Sequence, residues 1–390
     1  MLTFKQFANE EYLEKLHEEI CSFGFTDSQI EEFSSERHLQ ERKESLATHH
    51  APVPHAEQTM SDRAKSAHLW HSLKGGAHEY FNAPAHEQAA IHHEANKIKP
   101  HSLFTDEASN PKLAKNGDKM PEYHTKGVFL APAKSSGTDV CPASTPECRA
   151  SCLGPHSGRG KMKNTQKSRI DKTHFMINHP KHFYAKLDHE ITAAKTSAAK
   201  KGQKLAVRLN GTSDIPHEHM APQLFAKHHD VQFYDYTKVT GRAHNAAMPK
   251  NYHLTTSSSG LNHPDSNWKS VRKHLDKGGV ASMVFRVKQG RKGGVNKNGI
   301  TRKGTPEGAL PTHVHDEETG KKYRVIDGDV HDHRHLDHAY NNVPHGEGVI
   351  AGLRLKGTNK KGTGTGATAG SFAVHVPHGE THVVARKGEN

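Results

Sequence analysis

Seven short apolar runs, each ending in polar groups, constrain the fold of this chain more than any other feature. They are GVFLAPA (127–133), KLAVRLNG (204–211), VQFYDYT (231–237), NYHLTTS (251–257), VASMVFRV (280–287), YRVIDGD (323–329) and GVIAGLRLKG (348–357). Several are apolar at successive positions, the pattern of strands buried on both faces of a parallel sheet. Longer helical or polar stretches separate them. The clearest helix starts at Pro180, carries Phe183, Leu187, Ile191 and Ala194 on one face, and stops at Gly202. A second, DSNWKSVRKHLDKGG (265–279), leads into the fifth run. The alternation predicts an α/β fold, a partial (β/α) barrel-like parallel sheet of about six or seven strands.

Three regions follow from this pattern: a helical, polar extension over 1–100, the barrel-like core over 101–357, and a Gly-rich tail over 358–390. In the extension, Phe4, Phe7, Tyr12, Leu13, Leu16 and Ile20 fall near one helical stripe. SDRAKSAHLWHSLKGG (61–76) reads as a helix with Ser61 as N-cap and Gly75 as stop. Residues 34–60 between them read as a linker. No site motif lies here, so the extension is expected to be accessory, with docking of a protein partner as its candidate role. In the tail, SFAVHV and THVVARKG are candidates for a closing hairpin.

The chain has 390 residues, a formal net charge of +12 and 36 histidines. Its mean hydropathy is −0.84. No run of about 18 apolar residues occurs, which excludes a spanning helix. The start, MLTFKQFANEEYLEKL, lacks the apolar block of a signal peptide. The expected compartment is the cytoplasm. The positive charge favours polyanionic partners. Residues 286–304 hold seven Lys or Arg, five glycines and no acid, a basic loop suited to phosphate or nucleic acid. Most histidines are scattered and expected at the surface.

Polar groups close each apolar run. Asn210, Thr212, Ser213 and Asp214 follow the second; Asp235, Tyr236 and Lys238 the third; Thr255 and Ser257 the fourth; Asp327 and Asp329 the sixth. Sites in α/β proteins sit at the carboxyl ends of parallel strands. Turn formation and helix capping use the same residue types. For the set together, a polar cup is the expectation.

Three of the four cysteines, Cys141, Cys148 and Cys152, fall in GTDVCPASTPECRASCLGPHSGRG (137–160), just after the first run. Thiols clustered this way in a reducing compartment point to metal or catalysis before disulfides. One reading is a 4Fe–4S cluster with its fourth iron open. Another is zinc, with His156 completing a Cys3His set. The third is inert thiols. An open iron is what S-adenosylmethionine radical chemistry requires, and such enzymes carry their cysteine loop after the first strand of a partial barrel. Their usual spacing is C-x3-C-x2-C, whereas this chain has C-x6-C-x3-C, so the likeness is one of layout.

Together, CPASTPECRASCLG, VRLNGTSDIP, QFYDYTKV, NYHLTTSSSG, RVIDGDVHDHRHLD and GVIAGLRLKG resemble an uncharacterised phage and bacterial family, the gene-product-eighty-eight-like group, itself similar to radical-SAM proteins. The likeness spans roughly residues 120 to 357. Leu153 stands where the family usually has an aromatic residue, and Gly260 where it tends to have an acid. The resemblance implies a phage-type protein and supports the iron–sulfur reading without supplying a substrate.

VIDGDVHDHRHLD (325–337) offers Asp327, Asp329, Asp332 and Asp337 with His331, His333 and His335. A divalent metal, ribose hydroxyls, or ion pairs with Arg208 and Arg334 are the alternatives. The site expected from these readings places Cys141, Cys148 and Cys152 on the cluster. Arg208, Asn210, Ser213 and Asp214 line the S-adenosylmethionine side. Asp235, Tyr236, Lys238, Asp327 and Asp329 face a polar substrate, a nucleotide or nucleic acid among the candidates. The rivals are a zinc-stabilised nucleic-acid-binding protein without catalysis and a phage structural or interaction protein.

Overall fold

A computed structural model describes residues 60–105, 118–156, 158–245, 247–288, 308–355, 372–377 and 379–388, with Leu113 and the short strands at 294–295 and 301–302. The helix expected near residues 4–20, the linker before Met60 and most of the basic loop lie outside them. The chain divides into two compact units. The first is residues 1–255 with 331–333, and the second is 256–330 with 334–390.

The first unit opens with α1 (Met60–Phe81) and α2 (Ala85–Lys97). Strands β1 (Phe104–Thr105), β2 (Tyr123–Val128), β3 (Lys204–Arg208), β4 (Gln232–Thr237) and β5 (Tyr252–Ser257) lie side by side in that order. β1 is antiparallel to β2, while β2, β3 and β4 are parallel. After β2 come α3 (Pro146–Ala150), α4 (Leu153–His156), α5 (Lys163–Asn178) and α6 (Pro180–Lys200). α7 (His217–Met220) and α8 (Pro222–Lys227) follow β3.

Helix α6 starts at Pro180 as expected, and its stripe of Phe183, Leu187 and Ile191 is fully buried. Each such side chain contributes about 2 kcal/mol through removal from water. Its partners are Leu205, Val207 and Leu209 of β3 and the residue after it, Phe233 of β4, and Leu69, Trp70, Leu73 and Ala77 of α1. The helix at 61–76 therefore belongs to the core of this unit. It also runs through Gly75 to Phe81 instead of stopping. A Cβ on Gly76 would lie 2.6 Å from Pro180 Cβ, so glycine there permits close approach of α1 and α6.

The second unit takes up the end of β5 and adds α9 (Trp268–Leu275), β6 (Val280–Arg286) and the two-residue pair β7 (Gly294–Val295) and β8 (Thr301–Arg302). β9 (His313–Asp316), β10 (Lys322–Asp327), β11 (Val349–Arg354), β12 (Val374–His375) and β13 (His382–Ala385) complete it. β6, β11 and β10 are parallel neighbours, and β9 is antiparallel to β10. Trp268, Val271, Met283, Phe285, Val314 and Ile350 form its main core. β12 pairs with β6 and β13 with β9, both parallel, so the two tail segments join different strands and form no hairpin with each other.

Six of the seven apolar runs coincide with a strand, and the first overlaps only the last two residues of β2, Gly127 and Val128. The molecule is a mixed α/β protein with extensive parallel pairing. The first strand begins earlier than its run, at Tyr123, and the apolar FLAPA that follows it leads into the cysteine loop.

Candidate functional site

The cysteine loop leaves the carboxyl end of β2 and is tied to the loop after β3. The Asp214 N–H donates to Val140 O at 2.8 Å, and the Gly211 N–H to Val128 O at 2.9 Å. A Cβ on Gly211 would lie 2.5 Å from the Phe129 ring, so this junction requires glycine. Cys141 Sγ accepts from the Ala133 N–H at 3.4 Å and lies 3.6 Å from Thr212 O. The Asp139 carboxylate takes the Cys141 N–H at 2.7 Å. Thr145 caps α3 by accepting from the Cys148 N–H at 3.2 Å, which fixes Cys148 in the first turn.

Burial pushes the Cys141 thiol well above its ordinary range, and the Asp139 carboxylate adds to the rise. Cys152 is pushed up to about 12, first by burial and then by the charge of Cys148, against the Gly154 N–H and the Arg169 guanidinium. Both thiols are therefore protonated at neutral pH. Burial lowers the Lys238 ammonium, which Cys148, Asp214 and Cys141 oppose. Lys238 and Arg169 thus lie within electrostatic reach of the thiols. Among the described residues, no three His, Cys, Asp or Glu side chains come together as a metal site. His156 closes α4, and its side chain lies outside the described residues.

The polar residues after β3 and β4 hold one another. Asn210 accepts from Ser213 Oγ and the Ile215 N–H and donates to Ile215 O, all at 2.8–2.9 Å. Asp214 takes the Lys238 N–H at 2.8 Å and pairs with Arg242. Arg242, 2% exposed, also forms a two-pronged pair with Glu218 at 2.7 and 2.8 Å. Asp235 accepts from the Leu209 and Asn210 N–H groups at 3.1 and 2.8 Å and from Tyr252 Oη at 3.1 Å. Burial raises its carboxyl to about 7, against the opposing Arg208 charge and the Asn210 N–H.

Strand alternation puts Tyr236 on the other face of the sheet. There Arg208 donates to Asp332 Oδ2 at 3.2 Å, Tyr236 Oη donates to Asp332 Oδ1 at 3.2 Å, and the guanidinium lies 4.7 Å from the Tyr236 ring centre. His333 Nε2 sits 3.1 Å from Thr125 Oγ1, with its ring beside Tyr123 and Tyr234.

In the second unit, Asp327 and Asp329 share one cation. Arg354 Nη1 reaches Asp327 at 2.9 and 3.0 Å and Asp329 at 3.3 Å, and the Arg354 N–H donates to Asp329 at 3.0 Å. Arg334 donates to Asp337 at 3.1 Å and to Gly328 O at 3.1 Å. The structure thus brings Cys141, Cys148, Cys152, Asp214 and Lys238 into one electrostatic neighbourhood, joins Arg208 to Tyr236, and gives Asp327 and Asp329 to Arg354. Sequence reasoning missed Arg169, Glu218 and Arg242. Nothing in the sequence around Arg242 marks it as buried.

A parallel α/β framework with a cysteine loop and polar groups at its strand ends defines the class. Within that class the chain belongs to the gene product 88 family, whose model matches residues 102–366. No curated protein and no solved structure matches it. No helix among the described residues is long and apolar enough to cross a membrane.

Proposed function

We propose that this protein is an iron–sulfur enzyme of the radical S-adenosylmethionine type, built on a partial (β/α) barrel and acting on a polar substrate. The observation that supports it is the placement of the three cysteines. Their loop follows β2, is hydrogen-bonded to the loop after β3, and lies in the field of Lys238 and Arg169. Three thiols are a soft donor set, suited to iron–sulfur or zinc ligation. Cys141 and Cys152, protonated at neutral pH, would release protons on loading. A bound cluster supplies an electron and one open coordination position.

The chain's own groups divide the remaining work. Lys238 and Arg169 offset thiolate charge. Asn210, Ser213 and Asp214 shape the β3 loop on the S-adenosylmethionine side. Arg208 and Tyr236 present donors on the opposite sheet face, while Asp235 and Lys238 stay near the β4 end. Asp327 and Asp329, held by Arg354, are assigned to substrate in the second unit. The experiment is reductive cleavage of S-adenosylmethionine by the anaerobically iron-loaded, dithionite-reduced full chain. Methionine and 5′-deoxyadenosine are expected, and are lost in Cys141→Ala. A cluster that forms but yields neither product would sink the enzyme reading.

A further inference from the structure

On the face of the first unit's sheet opposite α6, Asp332 and His333 from a distant stretch of the chain contact Arg208, Tyr236 and Thr125. His331, Asp332 and His333 count with this unit, whereas Val330 and Arg334 count with the other. Asp332 is 4% exposed and Arg208 6%. The two oxygens of the Asp332 carboxylate are taken by different donors, Oδ2 by Arg208 and Oδ1 by Tyr236. One donor per oxygen from two fixed groups is how proteins recognise carboxylates and phosphates. Arg208 also touches groups other than Asp332. The guanidinium is stacked on the Tyr236 ring, and its Nε lies 3.6 Å from Asp235 on the far side.

We propose that Arg208 and Tyr236 form a binding site for the carboxylate or phosphate of a ligand, occupied in this conformation by Asp332 from within the chain. An anionic ligand binds there by displacing the 331–333 segment, so Asp332 acts as an internal competitor. The inference rests on this sheet face being ligand-facing, as proposed above, and is independent of the cluster.

The test uses the full chain with acetate and inorganic phosphate as probes, each against chloride at matched ionic strength. Thermal shift is read for the wild type, Asp332→Asn, and Asp332→Asn combined with Arg208→Gln. Removing the competitor's charge is expected to lower the half-saturating probe concentration roughly tenfold or more. The double variant loses the response. Acetate alone identifies a carboxylate ligand, and phosphate alone a phosphorylated one. Hydrogen exchange of amides 331–333 in the wild type covers the case where Asp332→Asn does not fold. It is expected to accelerate at saturating probe. The proposal is overturned if exchange is unchanged by both probes, or if folded Asp332→Asn responds no more than the wild type or no more than to chloride. Metal content does not enter the readout, so a failed cluster and a failed anion site remain distinguishable.

Discussion

Replacing Arg242 with Met is expected to destabilise the first unit by about 3–5 kcal/mol, a large share of the roughly 5–15 kcal/mol that holds a domain together. The guanidinium is 2% exposed and satisfies two buried carboxylates, Asp214 and Glu218, while also donating to Ile215 O at 3.2 Å. Burial pushes the Glu218 carboxyl up, but Arg242 outweighs it and holds it below its usual range. Met fills similar volume and leaves both carboxylates without their cation. Adding Asp214→Asn and Glu218→Gln removes those charges and should recover most of the loss. Urea denaturation followed by far-ultraviolet circular dichroism measures it. A loss under about 1 kcal/mol would contradict the assignment. The consequence reaches the cysteine loop, because Asp214 also holds Val140 and Lys238.

Asp188→Ala is expected to cost about 2–4 kcal/mol. This α6 carboxylate is 4% exposed and accepts from Tyr80 Oη at 2.7 Å, Lys227 Nζ at 2.8 Å and His228 Nε2 at 2.8 Å. Burial pushes its carboxyl up, but hydrogen bonds from His228, Lys227 and Tyr80 outweigh that and hold it at about 2, below the ordinary 3.8. A carboxyl depressed in the folded state stabilises it fully above the unfolded value, and that stability is lost as pH falls toward the folded value. The wild type should therefore lose stability more steeply than Asp188→Ala between pH 3.8 and about 2. Parallel acid profiles for the two proteins would contradict this account.

The strands were legible because parallel strands are buried on both faces, and their apolar runs need no partner to be recognised. The first was displaced because YHTKGV is polar in sequence. Thr125 is buried through His333, more than 200 residues away, a partner no local pattern reveals. Gly75 misled as a helix stop because the helix runs on through Gly76, whose missing side chain permits the contact with Pro180. The polar strand ends were legible as a set but not in their roles. Asn210, Ser213 and Asp235 look alike as ligand contacts or as loop closures. Only the fold reveals that Asp235 takes the Leu209 and Asn210 N–H groups, Ser213 donates to the Asn210 side chain, and Asn210 binds the Ile215 backbone. Arg242 and Glu218 lie 24 residues apart, Glu218 on the short helix α7 and Arg242 past the end of β4, so their pairing had no local signal.

The central claim is that Cys141, Cys148 and Cys152 together hold an iron–sulfur cluster. Iron, sulfide and zinc analysis of anaerobically purified full-length protein, beside Cys141→Ser, Cys148→Ser and Cys152→Ser, tests it most directly. The account predicts about four iron and about four sulfide per chain, falling sharply in each variant. Stoichiometric zinc without iron or sulfide, or iron unaffected by all three substitutions, would contradict it.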